Sequence, residues 1–165
     1  MVHAVSKTTS AVSVDALCQA ITSRQAKIGV VGLGYVGLPL VLAFAHQKFK
    51  IIGLDIDKTK ITALENGTSY IQHIDSAPLQ KLVADKQFLP TTDFSKASDA
   101  DVLIICVPTP LSKNRIPDMT YVEKTAHSLK KYLRPGHFVV LESTVYPGTT
   151  TDIMKPILEE SVLPE

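Results

Sequence analysis

A glycine-rich turn between two apolar segments constrains the fold of this chain more than any other feature. Apolar residues 28–31 lead directly into Gly32, Gly34 and Gly37, and a helical segment follows. A second apolar run then ends at Asp55. The first glycine permits a tight turn, the second lets a ligand approach the main chain, and the third lets the helix pack close to the strand. The pattern predicts a strand, a turn, a helix and a second, parallel strand.

A dinucleotide is the ligand that this unit would accommodate. The unpaired N–H groups and the positive dipole end of the helix attract a pyrophosphate. Asp55 follows the last glycine at close to the spacing of about 20 residues expected of the carboxylate that binds the adenosine ribose. A carboxylate there repels a 2′-phosphate and favours NAD over NADP, although Lys58 and Lys60 nearby could accept a phosphate. The alternative is a glycine-rich strand–helix turn that binds no ligand.

Composition predicts an ordinary soluble domain. The 165 residues are 45% apolar and 20% charged, which is enough for one domain with its own core. A net charge of +1 gives no indication of nucleic acid or an anionic membrane as partner, and no segment approaches the roughly 20 apolar residues of a membrane span. Cys18 and Cys106 are too few for a disulfide framework or a metal site, so we expect no metal and a cytoplasmic location.

Strand and helix signals alternate along the chain. Residues 1–13 are small and polar and predict a flexible leader, which leaves residues 14–165 as the dinucleotide-binding domain. Alternation of this kind predicts an α/β fold with a doubly wound parallel sheet, Rossmann-like. The predicted strands are 27–32, 50–55, 88–91, 101–107 and 137–141, and the predicted helices are 14–24, 35–47, 57–66, 76–86, 119–133 and 149–160.

Two further strand ends should lie beside the glycine turn, because ligands bind beyond the carboxyl ends of parallel strands. The fourth strand leads into Val107, Pro108, Thr109 and Pro110. The prolines predict a stiff loop over the nicotinamide half of the cofactor, and the alternative is a rigid crossover loop without a ligand. The fifth leads into residues 142–144, a second ligand-binding tip. The alternative for this segment is that it binds no ligand and only begins the next helix, with Thr149 or Thr150 as the helix cap.

Two other local features carry weaker signals. Ser76, followed by Pro78, resembles a helix cap. The segment TSYIQHID, residues 68–75, is expected to form a surface loop that exposes Tyr70 and His73, and His73 is only a weak catalytic candidate.

Four longer motifs carry a family resemblance: GVVGLGYVGLPLVLAFA, GLDIDKTKI, LIICVPTPL and VLESTVYPGTT. Over residues 26–160 the chain resembles the amino-terminal NAD-binding domain of the UDP-glucose/UDP-mannose (nucleotide sugar) 6-dehydrogenases. The segments SYIQHI and ESTVYPGTT are most similar to the UDP-N-acetylglucosamine 6-dehydrogenases. UDP-glucose and UDP-N-acetylmannosamine dehydrogenases are the alternatives within the family. A stand-alone NAD-binding module without turnover is the alternative outside it.

The resemblance implies a reaction and a set of residues. Such enzymes oxidise the sugar C6 alcohol to a carboxylate with two NAD⁺, through an aldehyde captured by a cysteine and a thioester that water hydrolyses. It assigns Thr144 to positioning the water. Glu142 is a further catalytic candidate that would support the residues in contact with the ligand. The implied cofactor-binding residues are Gly32, Gly34, Tyr35, Val36 and Gly37 at the pyrophosphate, Asp55 and Lys60 at the adenosine ribose, and Val107, Thr109, Pro110, Ser143 and Thr144 towards the nicotinamide.

The resemblance also limits the expected activity. Members of the family continue into a second, sugar-binding domain that carries the catalytic cysteine, whereas this sequence stops at Glu165 and neither of its cysteines matches that position. We therefore expect the chain to bind NAD without completing the oxidation, and a UDP-sugar to bind only with that further domain. The family's strand order is 3-2-1-4-5-6, and we expect this sequence to lack the last strand. Its absence would leave the edge of residues 138–141 unpaired, which predicts a homo-oligomer.

Overall fold

The computed structural model describes residues 13–111 and 117–160. Residues 1–12 of the predicted leader lie outside the described residues. Ser13, the last residue of that predicted leader, is described, and its side chain caps helix α1 (Val14–Thr22) by accepting a hydrogen bond from the Ala16 N–H at 3.1 Å. Helix α1 ends two residues before the predicted end.

Five parallel strands form the sheet, and their order β3-β2-β1-β4-β5 confirms the predicted Rossmann-like topology. Each predicted strand is present, though some are shorter than expected at their ends. The strands are β1 (Lys27–Val31), β2 (Lys50–Leu54), β3 (Phe88–Thr91), β4 (Val102–Ile105) and β5 (Phe138–Leu141). The helices after α1 are α2 (Gly37–His46), α3 (Lys58–Glu65), α4 (Ser76–Ala84), α5 (Thr120–Lys130) and α6 (Lys155–Glu159).

Helices cover both faces of the sheet because the inner strands are apolar on both sides. Successive strand side chains point to opposite faces. In β4, Val102 and Ile104 enter the core that includes Leu38 and Val41 of α2. Leu103 and Ile105 enter a second core on the other face, with helices α5 and α6. Two cores on one sheet hold the strand tips rigidly at its carboxyl edge.

The start of helix α4 differs from the prediction. Ser76 is the first helical residue, and the cap position is Asp75, whose side chain makes no capping hydrogen bond. The Ser76 hydroxyl instead accepts a hydrogen bond from the Ser69 N–H at 2.9 Å. The serine therefore stabilises the preceding loop, a role that a helix-capping pattern does not reveal.

The last helical segment also departs from expectation. Residues Thr149–Met154 form a π-helical segment, and only Lys155–Glu159 are α-helical. Neither threonine caps it, since the cap position is Gly148 with φ 94° and no side chain bonds there. Thr149 is 1% exposed and its hydroxyl donates to the Tyr146 carbonyl at 2.8 Å.

A 3₁₀-helix at Phe94–Asp99, between β3 and β4, was not predicted. Among the helices of residues 13–111 and 117–160, none has the length and apolar character that crossing a bilayer requires.

Candidate functional site

The glycine turn packs tightly against two neighbouring segments. Gly32 has φ 91°, a conformation that suits glycine, and its N–H donates to the Leu54 carbonyl of β2 at 2.7 Å. A Cβ at Gly32 would lie 2.6 Å from the Cys106 carbonyl oxygen, and a Cβ at Gly37 would lie 1.9 Å from the Gly32 carbonyl oxygen. Two of the three glycines are therefore required by packing within the protein itself.

Gly34 is different, because a Cβ built there would meet no atom within 4 Å. The space in front of it is open, as expected where a ligand approaches the main chain. Helix α2 begins directly behind it, and no side chain caps the helix at Val36. Its first N–H groups are thus not taken by a side-chain cap, and an anion could bind there.

Asp55 is a buried carboxylate, 6% exposed, at the tip of β2. One carboxylate oxygen, Oδ2, accepts hydrogen bonds from the Leu33 N–H at 2.8 Å and from Lys60 Nζ at 3.3 Å. The other, Oδ1, accepts from the Asp57 N–H at 3.0 Å. These donors compensate the buried charge. They also join the tip of β2 to the glycine turn, so both parts of the predicted motif form one rigid unit.

Two adjoining cavities meet at this unit. The first, about 300 Å³, lies between the tips of β1, β2 and β4. The second, about 360 Å³, lies over the start of α2 and against the loop that contains Tyr70. The predicted residues that line the first are Gly32, Gly34, Asp55, Lys60 and Val107, and those that line the second are Gly34, Tyr35, Val36, Lys60 and Val107.

Several residues of the first cavity were not predicted as site residues, among them Ile56, Phe94, Tyr121 and Thr125. Ile56 is 79% exposed, which is unusual for an isoleucine. Its position in the sequence, immediately after Asp55, is the local signal that could have identified it. Phe94 and Tyr121 come from the unpredicted 3₁₀-helix and from α5, so only the fold brings them here. Apolar and aromatic walls of this kind suit a flat base.

The tips of β4 and β5 are joined by a hydrogen bond from the Ser143 hydroxyl to the Val107 carbonyl at 2.7 Å. This contact places the predicted second tip beside the loop after β4. Six predicted residues line neither cavity: Gly37, Thr109, Pro110, Glu142, Ser143 and Thr144.

The two cysteines are poorly placed for nucleophilic chemistry. Burial, with a smaller contribution from the Glu142 charge, raises the pKa of Cys106 to about 11, so its thiol stays protonated at neutral pH. Cys18 is exposed on α1 and lines neither cavity. Within residues 13–111 and 117–160, no three His, Cys, Asp or Glu side chains come together in a way that could hold a metal ion.

The geometry fits an NAD molecule: an open glycine turn at a helix start, a buried carboxylate and an apolar groove. Residues 26–164 match the family model described as the UDP-glucose/GDP-mannose dehydrogenase family, NAD binding domain. The chain is 37% identical over 137 residues to a UDP-N-acetyl-D-glucosamine 6-dehydrogenase of Pseudomonas aeruginosa, covering 83% of this chain and 32% of the relative. It is also 37% identical over 134 residues to a UDP-N-acetyl-D-mannosamine dehydrogenase of Escherichia coli (strain K12), covering 81% of this chain and 31% of the relative.

Solved structures agree with the sequence relatives. The fold is similar to that in a ternary complex of GDP-mannose dehydrogenase from Pseudomonas aeruginosa, with a TM-score of 0.76 and 35% identity. That match covers 81% of this chain and 32% of the solved chain. The chain thus spans about a third of the length of the relatives it matches. Site geometry, family model and relatives agree, and the chain belongs to the UDP-glucose/GDP-mannose dehydrogenase family, of which it represents the NAD-binding domain.

Proposed function

We propose that this chain is the NAD-binding part of a dehydrogenase that oxidises the C6 alcohol of UDP-N-acetylglucosamine to the carboxylate with two NAD⁺. The observation that carries the proposal is the buried Asp55 carboxylate, tied to the glycine turn at the mouth of a groove of about 300 Å³. NAD⁺ bound there supplies the hydride acceptor. A relative named for this substrate, 37% identical, supports the choice of sugar.

Each part of the groove then has a role in holding the cofactor. The open approach to Gly34 admits the pyrophosphate to the start of α2. Asp55 accepts hydrogen bonds from the adenosine ribose, with Lys60 beside it. We assign Ser143 and Thr144 to the nicotinamide side and to positioning water, with Glu142 in a supporting role, since Ser143 joins the tip of β5 to that of β4.

We further propose that this chain alone binds NAD but does not complete the oxidation. Oxidation through a thioester needs a reactive thiolate, and the buried Cys106 and the distant Cys18 do not supply one. The reaction belongs in the cytoplasm, where such thiols stay reduced. The sugar and its reactive groups would then meet the cofactor at the edge formed by the tips of β4 and β5.

Two alternatives keep specific support. UDP-N-acetylmannosamine is supported by a relative named for that sugar, which has the same 37% identity to this chain. UDP-glucose is supported by its place in the family description. A non-catalytic NAD-binding module is the alternative of a different class, because the described residues contain the cofactor groove and no suitable nucleophile.

The test has two stages, beginning with binding. NAD⁺ and NADP⁺ are titrated into the chain by calorimetry, with the melting temperature measured in parallel. We expect NAD⁺ to bind more tightly and to raise the melting temperature, because a ligand that binds only the folded state stabilises it. Absence of NAD⁺ binding would contradict the proposed cofactor role.

The second stage measures turnover. The chain is incubated with NAD⁺ and, separately, each of the three UDP-sugars, and NADH is followed by absorbance. We expect no NADH from this chain alone. A longer protein containing this sequence should produce NADH fastest with UDP-N-acetylglucosamine. Turnover by this chain alone would contradict the proposal that it binds NAD without completing the oxidation. Preference of the longer protein for another sugar would contradict the proposed substrate.

A further inference from the structure

The loop between α3 and α4 reaches across the site to the glycine turn. Its Tyr70 hydroxyl donates a hydrogen bond to the carbonyl oxygen of Leu33, the residue between Gly32 and Gly34. The two residues are 37 positions apart in the sequence. Tyr70 was expected to be exposed, but it is half-buried and lines the second cavity together with Gly34 and Lys60.

This contact acts on a specific peptide unit. A trans peptide is planar, and its C=O and N–H point in opposite directions. The Leu33 carbonyl shares its peptide plane with the Gly34 N–H, so a hydrogen bond that holds the carbonyl also sets the direction of that N–H. Asp55 holds the preceding peptide through the Leu33 N–H at 2.8 Å. Both peptides around Leu33 are therefore held by side chains from outside the turn.

The loop that carries Tyr70 is itself ordered by local contacts. The Ser69 N–H donates to the Ser76 hydroxyl at 2.9 Å, and the Ser69 hydroxyl donates to the Ile71 carbonyl at 3.0 Å. Ile71 is 2% exposed and anchors the loop in the core. His73, two residues further on, stacks on Tyr35 of the glycine turn with ring centroids 6.2 Å apart. Tyr70 is thus presented from a supported position.

We propose that Tyr70 is a positioning residue for the cofactor: its hydroxyl orients the Leu33–Gly34 peptide so that the Gly34 N–H faces the pyrophosphate. This inference rests on NAD binding in the groove at the glycine turn. Gly34 lines both cavities and has open space in front of it. Rigid presentation of a main-chain donor reduces the ordering cost of binding.

The electrostatic surroundings keep the hydroxyl in the form that this role needs. Burial, and then the negative charges of Asp55 and Asp57, raise the pKa of Tyr70 well above its ordinary value. The hydroxyl therefore stays protonated and remains a donor throughout the physiological range. Lys60 Nζ lies 6.0 Å from the centre of the Tyr70 ring, so the same lysine contacts Asp55 and approaches the tyrosine.

The test compares Tyr70→Phe with the wild-type chain against ligands that differ in the pyrophosphate. Phenylalanine keeps the ring and removes only the donor. The dissociation constants for NAD⁺ and ADP-ribose should rise about three- to tenfold, the effect of one lost hydrogen bond. Adenosine, which reaches the ribose and base subsites but has no phosphate, should bind as before, and nuclear magnetic resonance titration can measure its weaker affinity.

Gln87→Met is the matched control, because Gln87 also donates to main-chain carbonyls, those of Ala45 and Phe49, at 2.8 and 3.0 Å. It precedes β3 at the opposite edge of the sheet, so its loss should lower the melting temperature without changing the affinity for NAD⁺. In Tyr70→Phe we also expect the amide resonance of Gly34 to shift.

Distinct outcomes separate the two proposals. If wild-type chain binds NAD⁺ and Tyr70→Phe binds it equally well, the positioning role is wrong while the cofactor role stands. Equal weakening for adenosine and ADP-ribose would likewise overturn it, because that result indicates general disturbance of the site. If the wild type does not bind NAD⁺, the cofactor proposal itself fails.

Discussion

Gly34 and Gly37 stand three residues apart in one motif, yet the structure gives them opposite reasons for being glycine. At Gly37 the obstacle is the protein, since an added Cβ would lie 1.9 Å from the Gly32 carbonyl oxygen. At Gly34 the space is empty of protein atoms within 4 Å, so the requirement comes from the ligand. Stability and cofactor affinity are therefore separable within a single turn.

This separation predicts different outcomes for the two alanine variants. Gly37→Ala should lower the free energy of unfolding by about 1–3 kcal/mol, because the backbone must shift to admit the methyl group. Gly34→Ala should leave that free energy nearly unchanged and weaken NAD⁺ about tenfold or more, because the methyl group occupies the approach of the pyrophosphate. Urea unfolding and calorimetric NAD⁺ titration of both variants measure the two quantities. Loss of stability in Gly34→Ala with intact affinity would contradict this assignment.

The positions of the residues around the glycine turn were partly predictable from local sequence. Asp55 follows a strand pattern at a typical spacing, so its place at the tip could be expected. Its hydrogen bond to the Leu33 N–H, and that of Tyr70 to the Leu33 carbonyl, join residues 22 and 37 positions apart. Such contacts depend on how α3 and the following loop pack, which periodicity does not specify.

Between α5 and β5, a short turn places His137 in a partly apolar setting. Its Nδ1 accepts a hydrogen bond from the Arg134 N–H at 3.1 Å, while its Nε2 is buried with no hydrogen-bond partner among the described residues. Burial, and next the Arg134 charge, lower the pKa of His137 below its ordinary value of 6.5. The folded protein therefore disfavours the protonated imidazole.

This lowered pKa predicts a pH dependence of stability. Below about pH 6.5 the unfolded chain takes up the proton more readily than the folded chain, so the stability from His137 is present above that pH and falls as the pH drops. Urea unfolding at about pH 7 and 5 should show a smaller loss of stability in His137→Asn than in wild type. His46→Asn, at an exposed site, is the control and should behave as wild type. An unchanged pH slope in His137→Asn would refute this role.

Helical elements near the carboxyl end show where element prediction fails. The segment 149–160 has the composition of a helix, and it is helical, but its first half is a π-helix. Thr149 is buried and its hydroxyl bonds back to the Tyr146 carbonyl, so it is not available as a surface cap. A capping pattern assumes a solvated helix start, and this start is packed against Met119.

Across the whole molecule, the two edges of the described sheet differ. At one edge β3 carries Pro90, which has no N–H to offer to a further strand. At the other edge β5 has no proline, and its four residues are exposed or only partly buried. Phe138 is 52% exposed there. Within residues 13–111 and 117–160 no strand pairs with the outer side of β5, and an apolar edge of this kind favours pairing with another chain.

We therefore propose that copies of this chain form a homo-oligomer by pairing along the exposed edge of β5. Light scattering at rising concentration should give a mass above that of one 17.9 kDa chain. Phe138→Lys should shift the equilibrium towards the monomer, because a charged edge opposes strand pairing. Leu89→Lys, at the similarly exposed residue on the opposite edge, should leave association unchanged. A wild-type chain that stays monomeric at every concentration would rule out this proposal.

Local signals in the sequence determined the parallel α/β sheet and the NAD-binding turn, and the family resemblance supplied the strand order. Apolar runs mark buried strands, glycines mark the turn, and an acid at the next strand tip marks the ribose. Only the tertiary structure decided which distant residues complete the site. Phe94 and Tyr121 complete its aromatic wall, and Tyr70 holds the glycine turn, because packing of both sheet faces brings separate loops to one edge.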